Sequence, residues 1–189
     1  MKKYELLKDD TIEFLGKALF RIKALISFKD IRKGEIGGYV EAERNLSQSG
    51  NAWVSDDARV TDNARVTDNA RVTGNAWVTD NARVTGNAWV TDNAHVTGNA
   101  HVTGNARVTG NAHVTGNAWV ETSNDYIVFK NNWSSFRWFT YTKSNKMWRA
   151  GCFYGTGQEL VEKAYKDSDE SGRKYELYVN LVKELYRDE

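Results

Sequence analysis

Residues 70–87 read ARVTGNAWVTDNARVTGN, which is three copies of one six-residue unit. Alternation of alanine and valine with two outward residues predicts a short strand in each unit, and the Gly/Asp-Asn pair predicts a turn. Asparagine is one of the few residues that enter the left-handed backbone region at low cost. The unit repeats without a slip over residues 51–122, and its valines are Val54, Val60, Val66, Val72, Val78, Val84, Val90, Val96, Val102, Val108, Val114 and Val120.

A strand and a corner every six residues predict a coil of 18 residues with three sides. Its interior holds only valine and alanine, so the coil must be a narrow triangular prism, and we expect every tryptophan of the repeat to face solvent or another molecule. Seventy-two residues give four coils, roughly 19 Å of stack at the spacing of neighbouring strands. The period of six excludes an amphipathic α-helix, which needs a spacing near 3.6.

The unit Val-Thr-Gly-Asn-Ala-x resembles the hexapeptide signature of left-handed parallel β-helix proteins, in which a small residue follows an aliphatic one by four positions. This resemblance implies the left-handed sense of the coil and the mainly β fold class. The segment from Lys33 to Val40 also resembles the start of hexapeptide proteins common in bacteria and their phages, some of which carry only an acetyltransferase label.

Composition limits the function classes. Lysine and arginine number 26 against 25 acidic residues, a net charge of +1, so a general nucleic-acid-binding protein is not expected. The single Cys152 rules out an internal disulfide, which fits a reducing compartment, and we expect a cytoplasmic protein. No segment has the apolar core of a signal peptide, and Arg21 and Lys23 interrupt the most apolar early stretch, so no membrane span is expected.

The flanks of the repeat predict caps for the two ends of the helix, whose open strand edges would otherwise stack into fibres. Residues 1–50 predict a β-rich N-terminal cap with a turn at Gly16-Lys17. Val40 and Leu46, six residues apart, predict one irregular coil before the regular array.

Residues 123–189 predict a small α+β module. Thr156 and Glu159 form a capping-box pattern that opens a helix to about Lys166, and a loop over residues 167–172 separates it from a last helix. We expect Trp133 to be the most exposed of the module's aromatic side chains and Cys152 to be a buried structural thiol. The segment Gly151-Cys152-Phe153-Tyr154-Gly155-Thr156 resembles one in the tails of uncharacterised phage repeat proteins.

The position before each valine forms three vertical columns, because residues 18 apart stack on one face. Tryptophan and arginine are enriched at the energetic centres of protein interfaces, so these columns are candidate contact surfaces for a second copy or another protein. The alternative is a ladder that stiffens only the stack itself. The candidate binding residues are Trp53, Arg71, Trp89, Arg107, Trp77, His95, His113 and Trp119 of the columns, together with Trp133 of the tail.

Two catalytic or metal-based alternatives are weaker. His95 and His113 stack on adjacent coils, but two imidazoles without a cysteine make a poor zinc site. Hexapeptide acyltransferases need a catalytic base beside a groove formed by a loop, whereas no loop interrupts residues 51–122. We therefore expect no metal and no cofactor.

The sequence predicts a non-enzymatic binding or scaffold protein that acts through its β-helix faces and its C-terminal module. The partner is expected to be a protein, either a second copy in a homo-oligomer (trimer or dimer) or a host protein, with no nucleic acid and no membrane. The phage resemblance implies an accessory protein that binds and inhibits a host or defence protein. The alternative is a hexapeptide-repeat acyltransferase.

Overall fold

The computed structural model describes residues 1–187, and its central part is a parallel β-solenoid. Each hexapeptide contributes one two-residue strand that ends at its valine, and strands 18 residues apart pair in parallel register, as Trp89 does with Arg71 and Arg107. The strands are β4 Trp53–Val54, β5 Arg59–Val60, β6 Arg65–Val66, β7 Arg71–Val72, β8 Trp77–Val78, β9 Arg83–Val84, β10 Trp89–Val90, β11 His95–Val96, β12 His101–Val102, β13 Arg107–Val108, β14 His113–Val114 and β15 Trp119–Val120.

Three parallel sheets form the sides of the triangle. Face one contains β4, β7, β10 and β13, face two contains β5, β8, β11 and β14, and face three contains β6, β9, β12 and β15. The alanines and valines of the repeat line the interior and are buried throughout. The predicted triangular coil with an interior of small aliphatic side chains is confirmed.

The corners have a different local structure from the one that asparagine suggested. The left-handed residue is the Asp or Gly before each asparagine, with φ of 59° at Asp80 and 67° at Gly98. The asparagine side chains instead form ladders along the stack, in which Asn81 Nδ2 donates to Asn99 Oδ1 at 3.1 Å. The Asp80 carboxylate accepts the amide N–H of Gly98 at 2.8 Å, so this corner also bonds to the coil above it.

The irregular first coil predicted from Val40 and Leu46 is present. Strand β3 (Ile36–Val40) pairs in parallel with β5, a 3₁₀ turn covers Glu43–Asn45, and Leu46 bridges to Val66. Val40 faces Val60, so this coil is two residues longer than the regular 18.

The N-terminal hairpin extends face two. Strand β1 (Tyr4–Phe14) pairs antiparallel with β2 (Lys17–Ala24), and β2 pairs antiparallel with β3. The register of β1 shifts between Leu7 and Thr11, which leaves a bulge at the sheet edge. A bulged edge strand is a poor template for pairing with another chain, so the hairpin closes this end of the stack.

The C-terminal module is an antiparallel four-stranded sheet packed on two helices. Its core contains Phe139, Tyr141, Trp148, Leu160 and Val179. The elements are β16 Tyr126–Lys130, β17 Trp138–Thr142, β18 Met147–Ala150, β19 Phe153–Gly155, α1 Gly157–Asp167 and α2 Asp169–Leu185.

Side-chain hydroxyls of this module complete the last coil. Thr140 Oγ1 accepts the backbone N–H of His113 at 2.9 Å, and Ser144 Oγ accepts that of Trp119 at 2.7 Å. The Tyr126 hydroxyl lies between strand ends of face one and donates to Arg107 O at 2.8 Å. These backbone groups, which would otherwise pair with a further coil, are therefore satisfied.

Two details of the tail differ from the sequence predictions. The capping box at Thr156 and Glu159 is confirmed, but the loop over residues 167–172 is wrong, because Ser168 alone separates the helices and caps α2. The thiol of Cys152 is exposed rather than buried, because it lies in the tight turn between β18 and β19. In the described residues no helix is long and apolar enough to cross a membrane.

Candidate functional site

The lower half of the face-one column is covered by the chain itself. Trp53 lies outside the valine interior, as expected, but the N-terminal segment covers it completely, with Phe28 edge-on at 5.6 Å and Tyr4 at 6.4 Å between ring centroids. A Cβ on Gly37 would lie 2.7 Å from the Trp53 ring, so only glycine allows this approach. The expectation that Trp53 faces solvent or another molecule is therefore wrong.

Arg71, which pairs with Trp53 from the next coil, is also largely removed from solvent. Its side chain is buried and forms an ion pair with Asp30, which belongs to the loop between β2 and β3. Only the upper half of this column remains open. There Trp89 is 40% exposed, and the Arg107 guanidinium lies 5.1 Å from the centre of its ring.

The face-two column forms a continuous stack of rings that both caps partly cover. Phe14 of β1 meets Trp77 edge-on at 4.7 Å, Trp77 stacks on His95 at 4.3 Å, and His95 stacks on His113 at 4.3 Å. All four residues of the column, Arg59, Trp77, His95 and His113, are half-buried, so this face offers little free surface.

The two imidazoles of this stack are held neutral. Burial lowers the pKa of His113 to about 4, with further lowering by His95 and by the Arg149 guanidinium of β18. Burial, followed by Arg149, also lowers the pKa of His95. A general base works best with a pKa near the operating pH, so this pair is poorly tuned for proton transfer near neutrality.

The face-three column is the most open of the three. Arg65 and Arg83 are exposed neighbours in register, and His101 stacks on Trp119 at 4.7 Å. Trp119 is exposed, and its Nε1–H donates to Glu121 at 2.7 Å, so the indole is held flat at the last coil.

Trp133 is not the most exposed aromatic residue of the module. It is half-buried between Tyr175 and Tyr178, and Phe136 and Trp138 are exposed instead. Its position follows from Asn131, whose side-chain oxygen accepts the amide N–H of Trp133 at 3.1 Å and turns the chain back toward α2.

An apolar surface on α2 was not predicted from the sequence. Leu177, Leu181 and Leu185 point outward and are 64%, 46% and 58% exposed. Helical spacing predicts that Leu185 shares the inner stripe with Val179 and Val182, but only the two valines are buried against the sheet. Leucines at i, i+4 and i+8 on one helix were the available signal, since they define a second apolar stripe.

A shallow groove continues this stripe toward Trp133. Its volume is about 380 Å³, and Leu177, Leu181, Tyr178 and Trp133 line it together with Lys174, whose ammonium lies 5.5 Å from the Trp133 ring. The indole nitrogen of Trp133 is buried and makes no hydrogen bond with any residue that the structure describes. We call Leu177, Leu181, Leu185 and this groove the leucine surface.

Within residues 1–187, no three histidine, cysteine or carboxylate side chains lie close enough to hold a metal ion together. Comparison with known protein families found none that matches the chain, and comparison with curated proteins found no match. The fold itself defines the class, a mainly β protein in which a parallel β-solenoid of about five turns carries a C-terminal module of two helices and an antiparallel sheet.

Proposed function

We propose that this protein is a non-enzymatic binding protein in which the β-solenoid is a rigid support and the leucine surface is the main docking site. The observation that carries the proposal is the exposure of three leucines in one row on α2. The inner side of the same helix already contributes Val179 and Val182 to the module's core, so the outer leucines are not needed to hold it.

The partner that fits this surface is a protein that presents an apolar segment. Burial of apolar side chains contributes about 25 cal/mol per Å², and contiguous exposed apolar patches on soluble proteins mark interaction sites. The charges beside the row are of both signs, with Lys174 and Lys183 against Glu176 and Glu184. Such a mixed border favours an apolar contact over recognition of a charged polymer.

The upper β-helix columns supply a second, smaller contact surface. Trp89 with Arg107 on face one, and Trp119 on face three, remain exposed, and a flat indole beside a guanidinium suits a protein contact. The covered Trp53 and Arg71 do not belong to this proposal.

The identity of the partner is a finer proposal. The phage resemblance of the sequence supports a cytoplasmic host or defence protein that this chain occupies and inhibits. A second copy of the chain is the other protein partner, as a dimer or trimer. Acyl transfer is not favoured, because the coils are uninterrupted and the His95–His113 pair has lowered pKa values.

The test compares two sets of variants in a bacterial lysate. Tagged wild-type protein, Leu177→Glu/Leu181→Glu and Trp89→Ala/Arg107→Ala are used for capture. A captured protein is then identified by mass spectrometry, purified separately and titrated against all three. We expect the leucine variant to lose binding by more than about tenfold, since each lost apolar contact costs about 1–2 kcal/mol.

Each alternative outcome has a defined meaning. Loss of binding only in Trp89→Ala/Arg107→Ala would place docking on the β-helix and contradict the leucine surface. Light scattering that shows a dimer or trimer of the wild type, and a monomer of the leucine variant, would identify a second copy as the occupant. Turnover of acetyl-coenzyme A that is lost in His95→Ala/His113→Ala would favour the acyltransferase.

A further inference from the structure

The C-terminal module contains a cleft that is separate from the leucine surface. It has a volume of about 650 Å³ and lies between the β17–β18 turn, the first turn of α1 and the last turns of α2. This volume is within the range of small-molecule sites, about 300–1,000 Å³. The lining residues are Tyr141, Lys143, Ser144, Lys146, Trp148, Thr156, Gly157, Gln158, Val179, Val182, Lys183, Tyr186 and Arg187.

The charged side chains in the wall of the cleft are cations, and one of them, Arg187, is already paired with Glu184 at 2.7 Å. Four of the described lining residues are cations, namely Lys143, Lys146, Lys183 and Arg187. No described lining residue is a carboxylate. Lys146 and Lys183 make no ion pair with any residue between positions 1 and 187. Like charges gathered at one opening raise the local concentration of anions.

An indole donor in the wall of the cleft points to a ligand more specifically. Trp148 is only 2% exposed, and its Nε1–H has no acceptor among the described residues, although the side chain lines the cleft. A Cβ on Gly157 would lie 3.1 Å from this nitrogen, so the indole N–H lies beside the first turn of α1. The side chain lines the open cleft, so this N–H is a donor that the oxygen of a bound acceptor can use.

The first turn of α1 adds backbone donors at the same place. Glu159 accepts the amide N–H of Thr156 at 2.7 Å, and the Thr156 hydroxyl accepts that of Glu159 at 3.3 Å. The intervening amides of Gly157 and Gln158 have no acceptor in the part of the chain described. Free amides at a helix N-terminus, together with the helix dipole, bind phosphate groups well.

The remaining walls are flat and apolar. Tyr141 stacks on Tyr186 at 5.9 Å with an angle of 29° between the rings, and Val179 and Val182 complete this side. A purely inorganic anion would leave these walls uncovered, whereas an aromatic group would cover them.

We propose that this cleft binds a monophosphate ester of a flat aromatic group. The phosphate lies against the amides of Gly157 and Gln158, the Trp148 indole N–H and the ammonium groups of Lys146 and Lys183. The aromatic body lies against Tyr141 and Tyr186. The site is distinct from the leucine surface, so it does not depend on the proposed docking function.

The test uses 1-naphthyl phosphate as the probe and the indole N–H resonance of Trp148 as the readout. Comparison of ¹H–¹⁵N spectra of the wild type and Trp148→Phe assigns this resonance among the seven tryptophans. We expect a saturable shift of the Trp148 signal with 1-naphthyl phosphate, and weaker binding of both inorganic phosphate and the uncharged 1-naphthol. Unshifted signals of Trp53 and Trp77 serve as internal controls for a specific site.

Charge variants make the result decisive. Lys146→Gln/Lys183→Gln is expected to weaken 1-naphthyl phosphate by about tenfold or more, as for loss of a hydrogen bond to a charged group. Lys130→Gln, which changes an exposed lysine of the same module outside the cleft, should leave the affinity unchanged. The proposal is wrong if Trp148 does not shift, if 1-naphthol binds as tightly as its phosphate, or if the double lysine variant binds normally.

Discussion

At the scale of single residues, the same position of the repeat has very different surroundings along one column. Trp53 and Trp89 both precede a valine on face one, two coils apart. The N-terminal segment buries the first completely, while the second keeps 40% of its surface exposed. How much such a tryptophan contributes to stability therefore depends on whether the N-terminal cap covers it, and not on its place in the repeat.

A matched pair of substitutions tests this difference. We expect Trp53→Ala to lower the free energy of unfolding by about 3–5 kcal/mol, as for other buried tryptophans. Trp89→Ala should cost less than about 1 kcal/mol, because an exposed side chain loses little contact area. Urea unfolding followed by circular dichroism measures both, and equal losses would mean that the cap does not hold Trp53.

The stacked histidines predict a loss of stability in mild acid. The pKa of His113 is about 4 in the folded chain and near 6.5 when unfolded, so the unfolded state binds protons first as the pH falls. Its contribution is complete above pH 6.5 and is lost as the pH falls toward 4. Solvent screens part of the effect at this half-buried side chain, so the expected loss from pH 7 to pH 5 is about 1–2 kcal/mol.

His113→Phe checks this assignment, because phenylalanine keeps a ring in the stack but does not titrate. Urea midpoints at pH 7 and pH 5 should differ less in this variant than in the wild type. His101→Phe is the matched control. His101 lies on another face and is less buried than His113, and burial lowers its pKa as well. An equal effect of both variants would assign the acid sensitivity to other groups.

At the scale of elements, the two ends of the solenoid are closed by different means. The N-terminal end continues into antiparallel strands, because β2 pairs with β3 in the sheet of face two. The C-terminal end is closed by side chains of the module, in particular Thr140 and Ser144. Hydroxyl acceptors can satisfy single amides without adding a strand, so the stack ends at this coil.

Removal of these hydroxyls should open the last coil locally. Thr140→Val and Ser144→Ala leave the amides of His113 and Trp119 without acceptors, at a cost of about 1–3 kcal/mol for each one that stays buried. Hydrogen exchange at these two amides should accelerate more than exchange in the middle coils. Ser135→Ala, at an exposed serine that bonds to neither amide, is the control and should leave the exchange unchanged.

At the scale of the whole molecule, the two caps limit a solenoid that could otherwise stack end to end with further copies. Every coil presents parallel backbone groups to the next one, as Arg83 N does to Ala100 O at 2.9 Å. A chain that ends at residue 122 would expose such groups on all three faces. Unpaired strand edges pair readily with other chains.

The shortened chain of residues 1–122 is therefore expected to associate end to end, whereas the full chain should not form fibres. Light scattering and electron microscopy at equal concentrations compare the two. A monomeric shortened chain with an intact circular dichroism spectrum would show that the module is not needed to close the stack.

The sequence by itself determined the solenoid. A period of six without a slip, with alanine and valine alternating inward, permits only a narrow three-sided coil, and each coil repeats contacts that the sequence already contains. The capping box of α1 could also be predicted from the sequence, because Thr156 and Glu159 are only three residues apart.

Only the tertiary structure decided which side chains are free. Trp53 is covered by the segment that runs from Tyr4 to Gly37. Cys152 is exposed in a turn, and Leu185 lies outside the core. Periodicity predicts which side of an element is apolar, but it does not show which of two apolar stripes will meet a neighbour. That choice depends on contacts between segments distant in sequence. These contacts leave open the leucine surface and the cleft between the β17–β18 turn, α1 and α2.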